Sequence, residues 1–167
     1  MAPALVAAVI GICATGAVTL LTGFGDVAAT DGGGAPKAMA DSHSTLEADV
    51  VRIMNKTRAG AGCDPLAVDP RLDNAAEAHS RDMAQRDYFD HTTPEGITFR
   101  ERIVNAGYAN PATGENLAHG QRTAAEVMES WMASAGHRAN ILNCDFALVG
   151  IGLDEDGMYW TQDFGAL

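Results

Sequence analysis

The sequence predicts an α+β domain in which about four helices pack on a small, mostly antiparallel sheet. Helical periodicity and helix-start signals dominate up to about residue 132, whereas two β-rich runs, 146–153 and 158–164, follow Cys144. The acidic, Gly-containing stretch 154–157 between these runs indicates a hairpin turn. With 167 residues, the chain has room for one domain of ordinary size.

The first two predicted helices begin at recognisable start signals. Residues 44–47 (Ser-Thr-Leu-Glu) match a capping box, in which the Ser and Glu side chains accept hydrogen bonds from free backbone N–H groups. Hydrophobic residues then recur on one face to about Arg58. The second helix is predicted to begin at Asp69, since the next residue, Pro70, suits the first helical position. Its apolar stripe ends near Arg86.

The other two predicted helices repeat the capping-box pattern. It occurs at residues 98–101, before a short helix that ends at Gly107, and at residues 123–126, before a helix that contains Trp131. A short additional strand is expected at residues 116–118, where an apolar step follows Asn116. These elements complete the predicted α+β domain.

Residues 1–29 are predicted to be a signal peptide or a membrane anchor. No charged side chain occurs between Ala2 and Gly25, and residues 4–21 are almost wholly apolar. Small residues at 27–29 or 38–40 suit a cleavage site, but the apolar run approaches the ~20 residues that span a bilayer. Both interpretations predict export, so the protein is expected to be extracellular or anchored to the outer face of the cytoplasmic membrane.

Residues 30–44 are predicted to be a flexible linker. They contain three consecutive glycines and otherwise mostly small or polar residues, a composition that cannot build a core. The folded domain is therefore predicted to span residues 45–167.

Two cysteines in the predicted domain indicate a disulfide. Cys63 and Cys144 form an even pair in an exported and therefore oxidising setting. The alternative is two buried free thiols. A catalytic cysteine is disfavoured because neither residue has a basic or histidine neighbour in sequence.

The charge balance restricts the partners of this protein. The chain carries 22 acidic and 11 basic residues, with no basic stripe that could neutralise phosphates. We therefore expect no nucleic-acid partner and no attachment to anionic membranes through charge alone. A monomer with a soluble acidic surface is expected.

Three residues stand out as candidates for a polar site: His91, Glu115 and His137. They are 24 and 22 residues apart, and each lies beside Gly, Asn or Pro residues that favour irregular backbone. Singly, each has an ordinary structural explanation: a solvated loop histidine, a carboxylate that accepts backbone N–H groups, and a histidine at a helix C-terminus. Together they form a ligand set common in zinc sites and suited to acid–base chemistry, although their spacing matches no short metal motif.

At this point the sequence resembles the CAP superfamily of cysteine-rich secretory, antigen-5 and pathogenesis-related proteins, in its short bacterial form. The motifs that carry the resemblance are residues 78–83 (Ala-His-Ser-Arg-Asp-Met), 88–91 (Tyr-Phe-Asp-His), 107–108, 114–118 (Gly-Glu-Asn-Leu-Ala), 131–142, 150–152 and 159–165. They extend over essentially the whole predicted domain.

The resemblance implies an α-β-α sandwich with a central cavity lined by two His and two Glu. The first His, the first Glu and the second His fall on His91, Glu115 and His137, whereas Ser134 occupies the position of the second Glu. His91 and His137 are thus candidate ligands of Zn²⁺ or another divalent cation, with Glu115 as a further possibility, and Ser134 is expected to line the cavity. We assign no catalytic residue.

Three functions remain open on this basis. The favoured hypothesis is an exported module that binds a divalent metal ion, a small molecule or a lipid at the cell envelope or outside the cell. The second is a zinc-dependent extracellular hydrolase of protease type, which we disfavour because Ser134 leaves no assigned general base. The third is a structural domain that interacts with the envelope.

His79, on the apolar stripe of the second helix, is expected to be a core histidine that donates to a backbone carbonyl.

Overall fold

The computed structural model describes residues 45–167. The predicted signal peptide or anchor at 1–29 and the predicted linker at 30–44 lie outside the described residues. The helices of the described part are α1 (Thr45–Gly60), α2 (Pro70–Arg86), α3 (Phe99–Asn105), α4 (Ala124–Ala133) and α5 (Ala135–Ile141). Its strands are β1 (Ala67–Val68), β2 (Thr113–His119), β3 (Leu148–Asp154) and β4 (Tyr159–Gly165).

Three helix starts follow the sequence signals closely. The Asp69 carboxylate accepts a hydrogen bond from Arg71 N before α2, and Thr98 forms a complete capping box with Glu101 before α3. The Thr123 hydroxyl accepts a hydrogen bond from Glu126 N at the start of α4. These predicted helix starts are confirmed. They could be predicted because a capping side chain bonds to a backbone N–H only two or three residues away.

Two details at helix starts differ from the capping-box prediction. Glu126 accepts a hydrogen bond from Arg122 N, one residue before the cap. Glu47 of α1 is buried and accepts a hydrogen bond from Leu153 N of β3, and Ser44 lies outside the described residues. Glu47 thus joins the first helix to a strand more than 100 residues away in sequence.

The described part of the chain has five helices rather than about four, because the region around His137 is helical. Ser134 has an extended backbone (φ −84°, ψ 127°) and interrupts the helical run between α4 and α5. The helix then resumes at Ala135 and includes Gly136. A glycine in this position suggests a helix end, whereas the break comes two residues earlier, at Ser134.

The sheet has the strand order β1-β3-β4-β2. The predicted hairpin is confirmed as β3 and β4, which pair antiparallel with Val149 opposite Phe164. Strand β2 pairs antiparallel with β4 and is longer than the predicted 116–118. Strand β1 was not predicted; it has two residues and pairs in parallel with β3. The sheet is therefore mixed but mostly antiparallel.

Helices cover both faces of the sheet, which gives an α-β-α sandwich. On one face, α2 packs so closely that a Cβ on Gly150 would lie 2.1 Å from the carbonyl carbon of Leu72. On the other face, residues of α1 and α4, including Met54 and Trp131, pack in one buried cluster with Trp160 of β4. Strand β2 lies at an edge of this sheet.

Two connections hold the segment between α5 and β3. The predicted disulfide between Cys63 and Cys144 is confirmed, with a sequence separation of 81. Arg58 at the end of α1 is fully buried, and its guanidinium donates to the carbonyl groups of Asp64, Ile141, Asn143 and Phe146.

Within residues 45–167, no helix is long and apolar enough to cross a membrane.

Candidate functional site

The edge strand β2 presents alternate side chains to opposite sides of the sheet. The Glu115 carboxylate meets Arg102 of α3, whereas the next residue, Asn116, bonds to the side chain of Asn140 on α5. Helix α5 carries His137, and Asn116 Nδ2 also donates to the His137 carbonyl at 3.2 Å. Strand β2 therefore connects the elements that surround the predicted site residues.

His91 lies in the irregular segment between α2 and α3 and contacts Glu115 directly. Its Nδ1 is 2.7 Å from Glu115 Oε1, and its side chain is half exposed while that of Glu115 is 0% exposed. Because a carboxylate oxygen accepts, Nδ1 is the donor in this hydrogen bond. The other ring nitrogen, Nε2, is then the one left for a ligand. The structure thus brings together two of the residues that the sequence singled out.

Arg102 is a site residue that the sequence analysis missed. Its Nη2 donates to Glu115 Oε2, and its Nη1 donates to the His91 carbonyl at 2.9 Å. The signal available in sequence was modest: Arg102 falls three residues after Phe99, beside the apolar side of a short helix. With Arg102 and His91 in place, each oxygen of Glu115 has a donor.

His137 lies at the start of α5, half-buried, with its backbone held by β2. Its Nδ1 is buried and has no hydrogen-bond partner among residues 45–167. Partial burial lowers the pKa of His137, and repulsion from His91 lowers it further. The two imidazoles are therefore near enough to act on each other electrostatically, as neighbouring site residues would.

The pKa of His91 shifts in the opposite direction. The hydrogen bond to Glu115 raises it, partial burial opposes this, and the charge of Glu115 acts in the same direction as the hydrogen bond. The two histidines thus differ in protonation over part of the pH range, with His91 the more easily charged. One imidazole can donate a proton to a ligand while the other remains neutral.

Ser134 lies at the junction of α4 and α5 and is half-buried. Its backbone N–H donates to the Trp131 carbonyl, and its hydroxyl makes no capping bond to α5. No hydrogen bond within the described residues joins it to His91, Glu115 or His137. The predicted role of Ser134 in lining the cavity stays a prediction.

A second carboxyl group near Glu115 comes from a position that the sequence analysis did not consider. Asp163 of β4 lies directly opposite Glu115 of β2 in the strand register and is fully buried. Burial raises the pKa of Asp163 well above its usual range, and the charge of Glu115 raises it further while Arg102 opposes the change. Sequence could reveal this pairing only once the register of the two strands was known.

His79 occupies the core role predicted for it. It is 1% exposed, and its Nε2 is 3.0 Å from the carbonyl oxygen of Asp90. Because that oxygen can only accept, the imidazole donates. His79 therefore anchors the start of the segment that carries His91.

A cavity of about 540 Å³ lies between α2, α3 and the segment 93–97. Its lining includes Ala78 and Ile97, and Arg102 lines one side. Because Arg102 also contacts Glu115, this cavity adjoins the site through one shared side chain.

The residues present do not form a three-ligand metal centre. In the part of the chain that the structure describes, no three His, Cys, Asp or Glu side chains are arranged to hold a metal ion. Each oxygen of Glu115 already accepts a hydrogen bond. The imidazoles of His91 and His137 therefore remain as the available metal ligands. A catalytic zinc with three protein ligands and a water therefore does not fit this arrangement.

The fold and the site together define a class of protein: a helix–sheet–helix domain with two imidazoles and a buried carboxylate at the edge strand of its sheet. Residues 51–164 match the model of the cysteine-rich secretory protein family, CAP. The chain belongs to this family, and its resemblance to the CAP superfamily is confirmed.

Comparison with known proteins supports the same assignment. The Bacillus subtilis protein YkwD is 42% identical over 123 residues, which cover 74% of this chain and 48% of YkwD. The structure of an extracellular protein containing an SCP domain from Bacillus anthracis is 28% identical, with a TM-score of 0.70 over 73% of this chain and 40% of that chain. This chain thus spans less than half the length of each of these two relatives.

A third similar protein shows the fold alone. An outer surface protein from Borrelia burgdorferi has a TM-score of 0.66 at 21% identity, over 74% of this chain and 96% of that chain.

Proposed function

We propose that this chain is an exported CAP-domain module that binds a ligand at His91 and His137 and does not act as a hydrolase. The observation that carries the proposal is the burial and hydrogen bonding of the Glu115 carboxylate. A general base must be able to reach the proton that it abstracts. The Glu115 carboxylate is buried and already accepts hydrogen bonds from His91 and Arg102, one on each oxygen.

The two imidazoles are the groups left to contact a ligand. His91 is half exposed and His137 half-buried, so both lie near the surface at the edge of β2. Glu115 fixes His91 through Nδ1, which leaves Nε2 to face a ligand. A small polar molecule or a lipid headgroup could form hydrogen bonds with both rings, and the different pKa shifts of the two histidines allow one ring to donate and the other to accept.

A divalent metal ion is the second ligand that we propose for these residues. Neutral imidazole binds Zn²⁺ well, and His91 acts electrostatically on His137. With two protein ligands, and with the carboxylate held by Arg102, such binding would be weak. Any zinc site here would be a binding site that water completes.

Export is part of the proposal and has separate support. The similar Bacillus anthracis protein is described as extracellular, and the Borrelia burgdorferi protein as an outer surface protein. The Cys63–Cys144 disulfide suits an oxidising compartment. Residues 1–29, by composition, would provide the signal peptide or anchor.

Calorimetric titration of residues 45–167 with Zn²⁺ tests the metal proposal. We expect weak binding in the wild type, its loss in the His91→Ala/His137→Ala double variant, and its retention in His119→Ala. His119 is a matched control because it is an exposed histidine that stacks on Tyr159. No heat of binding in the wild type, or equal binding in the double variant, would rule out zinc at this site.

Turnover assays separate the module from the hydrolase. The same domain is incubated with casein, lipid esters, nucleic acid and peptidoglycan, with and without Zn²⁺. We expect no turnover of any of them. Hydrolysis that disappears in Glu115→Gln or in His91→Ala/His137→Ala would overturn the proposal, whereas hydrolysis that persists in both variants would point to a contaminant.

A further inference from the structure

The pairing of Glu115 with Asp163 places two carboxyl groups side by side inside the domain. The two residues are direct cross-strand partners, so their side chains lie on the same face of the sheet. Asp163 is 0% exposed, and so is the side chain of Glu115. Bulk water therefore does not solvate either group.

The hydrogen bonds from His91 and Arg102 go to Glu115, whereas Asp163 receives none within residues 45–167, where the buried Arg102 Nε is also without a partner. His91 Nδ1 and Arg102 Nη2 both donate to Glu115. Neither oxygen of Asp163 accepts a hydrogen bond from any donor in residues 45–167. On its other side, β3 places Gly150 opposite Asp163, and glycine brings no side chain.

The remaining charged neighbours do not change this picture. Glu115 from β2 and Arg102 from α3 are the charged groups that act on Asp163. The buried titratable side chains of α2, which packs across the sheet, are engaged elsewhere: Asp73 accepts from Ile151 N, and His79 bonds to the Asp90 carbonyl. An ionised Asp163 would thus be a buried carboxylate that faces another carboxylate without a donor of its own.

Burying an unpaired charge is costly, and a group in this position usually becomes neutral instead. A protonated carboxyl group has an O–H donor, and the Glu115 carboxylate directly across the strand pair is an acceptor for it. Each oxygen of a carboxylate has two acceptor positions, so Glu115 can accept a third hydrogen bond beside those from His91 and Arg102.

We propose that Asp163 is the second carboxyl group of this site, kept as the neutral acid, and that it donates a hydrogen bond to Glu115. Asp163 is then a positioning residue. It fixes the carboxylate that orients His91, and it supplies from β4 the carboxyl group that Ser134 does not supply. The proposal concerns the interior of the domain and holds whichever ligand the site binds.

Carbon-13 NMR of aspartate-labelled wild-type domain tests the protonation state directly. We expect the carboxyl resonance of Asp163 to have the chemical shift of a protonated acid at neutral pH, where surface aspartates have that of a carboxylate. A carboxylate shift for Asp163 at neutral pH would overturn the proposal. This measurement needs no substitution, so it does not depend on the folding of a variant.

Two substitutions test the positioning role through the pH titration of His91. Asp163→Asn keeps a neutral side chain with an N–H donor, so the pKa of His91 should not shift. Asp163→Leu removes the donor, which leaves the Glu115 carboxylate more basic, and the pKa of His91 should rise. A fall in the pKa of His91 in Asp163→Asn would show that the native residue is negatively charged and would overturn the proposal.

Discussion

Arg102 of α3 and Glu115 of β2 form an ion pair inside the domain. Their side chains are 10% and 0% exposed, respectively. The Arg102 guanidinium also donates to the carbonyl groups of His91 at 2.9 Å and Ile97 at 3.3 Å. One side chain therefore joins a helix, the edge strand and the segment that carries His91.

Replacement of Arg102 by Met should destabilise the domain strongly. It would leave the Glu115 carboxylate buried without its cation, and breaking a buried pair costs about 3–5 kcal/mol. Urea unfolding measures the change in the free energy of unfolding. Arg100→Met on the same helix, at an exposed position, is the control, and we expect it to cost at most about 1 kcal/mol. Equal effects of the two substitutions would contradict a special role for Arg102.

The pH titration of His91 should depend on Glu115. Because the hydrogen bond to Glu115 raises the pKa of His91, Glu115→Gln should lower it, and NMR titration of the ring protons measures this. In the same spectra His91 should titrate at higher pH than His137, whose pKa burial lowers. Glu126→Gln, which removes a carboxylate at the start of α4, should leave the pKa of His91 unchanged.

The same shift affects the pH dependence of stability. A raised pKa in the folded state means that the folded protein binds the His91 proton more tightly than the unfolded chain does. This contribution is complete below the unfolded pKa of ~6.5 and is lost as pH rises through the folded pKa. The difference in unfolding free energy between wild type and His91→Ala should therefore shrink as pH rises through that range. A difference that grows with pH would contradict this sign.

Gly150 should not tolerate a side chain. A Cβ at this position would lie 2.1 Å from the backbone of Leu72, so Gly150→Ala would have to push α2 away from the sheet. Overpacking of this kind costs about 1–3 kcal/mol. Gly136→Ala is the matched control, since nothing lies within 4 Å of its Cβ. It should stabilise α5 by roughly 0.5–1 kcal/mol. Thermal unfolding of the two variants distinguishes these effects.

The disulfide should contribute a large share of the stability. For the 81-residue separation between Cys63 and Cys144, the chain-entropy model predicts a loss of about 4–5 kcal/mol in the Cys63→Ser/Cys144→Ser variant. Unfolding of the wild type with and without reductant provides the comparison. The variant should be insensitive to reductant, and reduced wild type should approach its stability. A wild type whose stability does not change after complete reduction would contradict this prediction.

Much of the helical structure could be predicted because its signals are local. Asp69 and Thr98 each cap a helix by bonding to a backbone N–H two or three residues further along the chain. Helix α5 was missed for a local reason as well, since Gly136 resembles a helix end. The break occurs at Ser134, whose extended backbone separates α4 from α5.

Long-range features were harder to predict from one sequence. Strand β1 has two exposed residues, and it exists as a strand because it pairs with β3 about 80 residues later. Glu47 matches the pattern of a capping residue, yet it accepts a hydrogen bond from Leu153. Neither partner can be identified without knowing which elements lie side by side.

The sequence by itself determined the family, the α+β class, the cysteine pair and the three residues His91, Glu115 and His137 as candidates. These follow from local patterns and short motifs. Only the tertiary structure decided that Arg102 holds Glu115 and that Asp163 lies buried against it. The reason is physical: burial and strand register determine whether a carboxylate is paired, and both depend on residues far apart in the chain.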